Sequence, residues 1–169
     1  FVYSRAHFEA RYRALRETLA GLNPVILFSA KTNTNGAVLK TFIDLGAGVD
    51  VVSGGELTRA RRAGCPADRI AFAGVGKTVD EIDLALSEGI LFFTVESEPE
   101  LERIADRAER AGARARIAIR VNPDVDPKTH QYTTTGKREN KFGVDLERAA
   151  AAYERAAERD GLEIAGLHM

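Results

Sequence analysis

Lys31 closes an apolar, strand-like run, Val25-Ile26-Leu27-Phe28-Ser29-Ala30, and a polar turn, Thr32-Asn33-Thr34-Asn35-Gly36, follows it at once. A lysine carried by a buried strand to the mouth of a loop sits where desolvation favours the neutral amine. A neutral amine forms a Schiff base with a carbonyl compound. Other polar side chains fall in comparable places. Asp50 interrupts the apolar run 49–52, and Arg120 lies between Ile119 and Val121. Each is costly to bury without a partner, so pairing of the two with one another is the plain structural alternative to a functional role. Ser53-Gly54-Gly55-Glu56 reads as a tight turn opening a helix, or more weakly as a phosphate cradle. Gly74-Val75-Gly76-Lys77 lacks the remainder of a P-loop. His7 and His130 read as ordinary polar residues, and no His/Cys spacing suits a metal.

The elements that must position these groups are marked by apolar periodicity and by caps. Ser4 is placed to cap a helix whose Phe8, Tyr12, Leu15 and Leu19 share a face, with Gly21 at its end. Thr78 with Glu81 and Ser97 with Glu100 match the capping-box pattern, and Gly89 and Gly112 stand where those helices stop. Further helices are expected over 38–45, 57–63 and 146–159, stopped by Gly46, Gly64 and Gly161. Between them lie apolar runs at 25–30, 49–52, 70–73, 91–95, 116–121 and 162–167, the first five beginning 24, 21, 21 and 25 residues apart. Strands alternating with helices at that interval imply right-handed crossovers and a parallel sheet, either a doubly wound open sheet or a (β/α)8 barrel. In either, strand C-terminal ends are where sites are built, and Lys31, Asp50, Arg120 and His168 fall at such ends.

The chain has 169 residues, 44% of them apolar and 29% charged, with 24 basic and 25 acidic side chains for a formal net charge of −1. This is the composition of a globular domain and gives no basic face for nucleic acid. No apolar stretch is long enough to span a bilayer, and the lone Cys65 excludes an internal disulfide and fits a reducing cytoplasm. A closed barrel needs eight strand–helix steps and about 250 residues, whereas six steps are legible here. The chain also opens on Phe1-Val2-Tyr3, which reads as the end of a strand. The expectation is a barrel truncated at both ends. The polar stretch 122–143, with Tyr132 and Phe142 to pack it, is read as an ordered lid.

Taken in order, several segments resemble one family. Ser29-Ala30-Lys31-Thr32-Asn33 is similar to the lysine segment of pyridoxal-phosphate decarboxylases with an alanine-racemase-like barrel, and Asp50-Val51-Val52-Ser53-Gly54-Gly55-Glu56-Leu57 to their second signature. Arg120-Val121-Asn122-Pro123, Thr133-Thr134-Thr135-Gly136, Glu139-Asn140-Lys141-Phe142-Gly143 and Gly166-Leu167-His168-Met169 resemble the diaminopimelate decarboxylase branch in particular. Thr32 stands where that family carries alanine, and Phe28-Ser29 where it carries Tyr-Ala.

The resemblance implies residues 1–169 as an incomplete pyridoxal-binding (β/α)8 barrel domain of about six βα units, with the C-terminal β-domain absent. It implies pyridoxal 5'-phosphate as cofactor, held by Lys31 as a Schiff base, with Asp50 and Arg120 close to it. The reaction implied is that of a carboxy-lyase, decarboxylation of meso-2,6-diaminopimelate to L-lysine. It further implies a small amino-acid substrate, a homodimer in the full-length form, and no metal, nucleic acid or membrane partner. The ring-stacking histidine, the phosphate loop, the acidic partner of the ring nitrogen and the catalytic cysteine are expected beyond residue 169, which would leave this piece inactive alone. Two rivals stand beside this reading. One is a related decarboxylase of another basic amino acid or a carboxylated polyamine. The other is a noncatalytic barrel fragment whose open sheet edge associates with a partner.

Overall fold

The structure is a computed structural model that describes residues 2–123 and 142–169. Residues 124–141 of the expected lid, with Tyr132, His130 and the segments Thr133-Thr134-Thr135-Gly136 and Glu139-Asn140-Lys141, therefore lie outside the described residues. The chain divides into two units, residues 1–72 with 88–91, and residues 73–87 with 92–169.

The first unit holds α1 (Arg5–Thr18), β1 (Leu27–Ser29), α2 (Gly36–Asp44), β2 (Gly48–Val51), α3 (Gly54–Arg62) and β3 (Ile70–Phe72). The three strands are parallel, with Leu27 opposite Gly48 and Val49 opposite Ile70. This is the arrangement that helical crossovers between successive strands require. Val49, Val51, Ile70, Phe72, Leu57 and Leu39 are fully buried and make the core. Ser4 caps α1 as expected, its Oγ accepting from the His7 N–H at 3.3 Å.

The apolar face of α1 is narrower than its periodicity suggests. Only Tyr12 is buried, and Leu15 is 47% exposed. The helix docks through aromatic rings: Phe42 of α2 receives Phe8 and Tyr12 at centroid separations of 5.4 and 6.3 Å and stacks on Phe28 at 4.3 Å. Val2 and Tyr3 are not in a strand; Tyr3 rests against Phe8. Gly21 does not terminate α1. A 3₁₀ turn, Ala20–Leu22, follows, and Asn23 takes the left-handed conformation (φ 48°), which asparagine tolerates better than most residues.

The second unit holds α4 (Val79–Glu88, through Ser87), β4 (Phe92–Val95), α5 (Glu98–Arg110), β5 (Ala115–Asn122), β6 (Val144–Asp145), α6 (Leu146–Ala157) and β7 (Leu162–His168). β4 and β7 both pair in parallel with β5, and a bulge shifts the register so that Ile117 faces Ile164 but Ala118 faces Gly166. β6, a two-residue strand with no signal in the hydrophobic pattern, pairs with Val121 and Asn122 at the end of β5. Leu101, Ile104, Ala105 and Ala108 recur at helical spacing and are buried, each large one contributing about 1.5–3 kcal/mol.

Where six βα steps are expected, the described residues hold five strands each leading to a helix, and then β7. Gly46, Gly64, Gly89 and Gly112 end helices with positive φ, as expected. Gly161 does not: α6 stops at Ala157, and Gly161 is required because a Cβ there would lie 2.8 Å from the Ala105 carbonyl oxygen of α5. Among the described residues, no helix is long and apolar enough to cross a membrane.

Cys65 is fully buried, and burial pushes its thiol up to about 11. A thiol so placed is almost wholly protonated at neutral pH and out of reach. Iodoacetamide at neutral pH is therefore expected to leave Cys65 unmodified in the folded chain and to label it stoichiometrically in denaturant; rapid native labelling would contradict the burial.

Candidate functional site

Lys31 lies not at the end of a strand but on a 3₁₀ turn, Ala30–Thr32, that follows β1 directly. The turn carries the side chain outward. Ala30 is fully buried while Lys31 is exposed, so the desolvation expected from a buried strand end is not produced by the described residues.

The polar segment after Lys31 is explained by local hydrogen bonds. The Thr32 hydroxyl donates to the Ser29 carbonyl at 2.7 Å, the Asn35 N–H donates to Asn33 Oδ1 at 3.0 Å, and Asn35 Oδ1 caps α2 at the Ala37 N–H. Asparagine and threonine supply these short side-chain bonds where the backbone changes direction, and the Thr32 bond closes the turn on which Lys31 lies.

Asp50 sits on β2 between Val49 and Val51, both fully buried, and strand alternation turns it to the opposite face. Its register neighbour on β1 is Ser29, whose hydroxyl donates to Asp50 Oδ2 at 3.2 Å. Ser29, which orients this half-buried carboxylate, is the last residue of β1 and stands two residues before Lys31. Ser29 carries no charge that would mark it in the sequence as a site residue. Its signal was its place in the lysine segment, one strand register from Asp50.

In the second unit Arg120 lies on β5, between the buried Ile119 and Val121. Its partner is Glu96, which the sequence reading did not weigh: Nη1 of Arg120 donates to both carboxylate oxygens at 3.2 and 3.1 Å. The guanidinium also stands 5.7 Å from the centroid of the Phe142 ring, a cation–π contact. Next to it Gly143 takes φ +97°, and a Cβ there would lie 2.7 Å from the Arg120 carbonyl oxygen. Only glycine permits that approach. His168 is the register neighbour of Arg120 on β7.

Two strand-to-helix turns share one construction. After β2, Ser53 caps α3 by accepting from the Glu56 N–H at 3.2 Å, and Glu56 Oε2 accepts from the Val52 N–H at 2.8 Å. After β4, Ser97 caps α5 by accepting from the Glu100 N–H at 3.4 Å, and Glu100 Oε2 accepts from the Glu96 N–H at 3.2 Å. Both serines are extended, with φ −157° and −160°. Ser53-Gly54-Gly55-Glu56 is therefore a helix start. The box expected at Ser97 and Glu100 is shifted by one residue, because the glutamate reaches past the cap. Thr78 and Glu81 do form the reciprocal box, with bonds of 3.0 and 3.3 Å.

Lys77 has no resemblance to a phosphate ligand. It is 3% exposed, and its Nζ donates to the carbonyls of Gly74 and Thr94 at 2.8 and 2.7 Å and to Glu100 Oε1 at 2.5 Å. Burial raises the Glu100 carboxyl above its ordinary range while Lys77 pulls the other way. Among the described residues, no group of His, Cys, Asp and Glu could hold a metal ion.

Residues 5–169 match a family model described as "Pyridoxal-dependent decarboxylase, pyridoxal binding domain". The chain belongs to the pyridoxal-dependent decarboxylase family. Within the family it is similar to the diaminopimelate decarboxylase of Pseudomonas aeruginosa, 49% identical over 167 residues, and to that of Aquifex aeolicus, 47% identical over 168; each alignment covers 99% of this chain and 40% of that protein. A crystal structure of a mutant diaminopimelate decarboxylase from Helicobacter pylori, complexed with L-lysine, matches with a TM-score of 0.95 and 40% identity over 98% of this chain and 42% of that one. The chain thus spans about 40% of the length of the curated relatives it matches. The parallel strand–helix repeat of each unit is accordingly part of the barrel of a pyridoxal-dependent decarboxylase.

Proposed function

We propose that this chain is the Lys31-bearing part of a pyridoxal-5'-phosphate-dependent carboxy-lyase that converts meso-2,6-diaminopimelate to L-lysine and carbon dioxide. The observation that carries the proposal is the exposed amine of Lys31 on a hydrogen-bonded turn directly after β1, two residues past the serine that orients Asp50, in a chain of this family.

The residues fit the cofactor's needs. An aldehyde requires an amine that it can reach, and the 3₁₀ turn presents one with its backbone already fixed. Lys31 would hold the aldehyde carbon. Asp50, the register partner of Ser29 and oriented by its hydroxyl, would offer a carboxylate to stabilise a developing positive charge. Arg120, fixed by Glu96, offers a cation at the end of β5 for an anionic group. When bound, pyridoxal phosphate supplies the electron sink that accepts the electron pair left behind as the carboxylate departs.

The choice of diaminopimelate rests on the names of the similar proteins. Supplying the full-length protein with cofactor and a panel of diaminopimelate, lysine, arginine, ornithine and carboxyspermidine tests it: carbon dioxide and L-lysine are expected from diaminopimelate alone. Turnover of another member in its place would keep the cofactor chemistry and replace the substrate. The same reading takes residues 1–169 as an incomplete cofactor-binding domain of a cytoplasmic homodimer. The buried, unpaired Cys65 is compatible with a reducing compartment.

A further inference from the structure

We infer that Lys77 and Glu100 are positioning residues that hold Arg120 in place through Glu96. The inference rests on the reading of Arg120 as a cofactor contact. The chain of contacts is continuous within the second unit. Lysine has three donors, and the Gly74 carbonyl, the Thr94 carbonyl and Glu100 Oε1 engage Lys77 Nζ, the first two anchoring it to the loop after β3 and to β4. Glu100 is held by Lys77 through one oxygen and uses the other to accept the Glu96 N–H. That bond fixes the backbone of Glu96 at the end of β4, and Glu96, 5% exposed, directs both carboxylate oxygens at Arg120.

A purely stabilising role does not account for this arrangement. Burying a lysine and a glutamate is costly enough that an apolar pair of similar volume serves stability as well or better. An apolar pair cannot accept the Glu96 N–H. The turn after β2 makes the contrast plain. It uses the same serine cap and the same backward-reaching glutamate, but the residue whose N–H is bound there is Val52, which carries no charge to aim. After β4 the equivalent residue is Glu96, and the construction becomes a means of setting a carboxylate against a guanidinium. Arg103 adds a donor to the Lys77 carbonyl at 3.5 Å, closing the loop over the pair.

The test compares the full-length protein with the double variant K77M/E100L, which removes both charges and keeps the volume, so that folding is retained. Two measurements are made. The Arg120 Nε–Hε signal, assigned in arginine side-chain NMR spectra of the cofactor-free protein by its loss in Arg120→Lys, reports the Glu96–Arg120 pair directly. Pyridoxal 5'-phosphate affinity is then measured in a cycle with Arg120→Ala. The double variant is expected to shift or broaden the Arg120 signal and to weaken cofactor binding about tenfold, the size of one misplaced charge-assisted hydrogen bond. In the Arg120→Ala background it should cost nothing further. An unmoved Arg120 signal, or a full additional loss in the Arg120→Ala background, would overturn the inference. A moved signal with cofactor affinity indifferent to Arg120→Ala would uphold the positioning and overturn the reading of Arg120 as a cofactor contact.

Discussion

Lys31→Ala and Lys31→Arg are both expected to reduce decarboxylation by the full-length enzyme on the order of a thousandfold or more, and to remove the absorption band of lysine-bound cofactor. The arginine variant is the sharper of the two. It keeps the positive charge at the turn, but a guanidinium stays protonated and is no nucleophile. Folding should be untouched. Lys31 is exposed, and its turn is held by the Thr32 hydroxyl and by the Asn33 and Asn35 side chains rather than by the lysine itself. Equal melting temperatures with lost absorbance would therefore locate the defect in the amine. An unchanged band in Lys31→Arg would refute its assigned role.

Breaking the buried Lys77–Glu100 ion pair on one side is expected to be strongly destabilising. Glu100→Ala or Lys77→Ala alone should cost about 3–5 kcal/mol, because each leaves a buried charge with its partner gone. The double variant K77M/E100L should cost less than either single variant in denaturant melts, since it leaves neither charge without the other and loses only the hydrogen bonds to the Gly74 and Thr94 carbonyls and the Glu96 N–H. The two single variants should also differ in their response to pH. With Lys77 gone, Glu100 remains in a site where burial already raises its carboxyl. Its folded-state pKa then stands above the unfolded one, so the folded state takes up a proton more readily as pH falls. The penalty of Lys77→Ala is thus largest at neutral pH and shrinks as pH is lowered through the raised pKa. In Glu100→Ala no such carboxyl remains, and that relief should be missing. Identical pH profiles for the two variants would contradict the assignment.

Much of the site's scaffolding was legible because it depends on neighbours in the chain. Ser4 caps α1 and Thr78 boxes with Glu81, since a hydroxyl reaches an N–H three residues on whatever the rest of the fold does. The lysine, aspartate and arginine at strand ends stood out because a charge inside an apolar run demands an explanation. The partners of those charges were not legible. Glu96 and Arg120 are far apart in the chain and meet because β4 and β5 pair in the register that places Val95 opposite Ile119. Lys77 and Glu100 looked like a loop lysine and a capping glutamate until the fold enclosed both.

Order along the chain determined the alternation of strand and helix, and with it the parallel sheet, because crossovers of that length leave successive strands no other way to pair. The residue types at the strand ends singled out an amine, a carboxylate and a guanidinium as the groups able to do chemistry. Tertiary structure alone decided the exposure of Lys31, the orientation of Asp50 by Ser29 and the choice of Glu96 for Arg120. Those outcomes depend on register and burial, which arise from distances that no local pattern encodes.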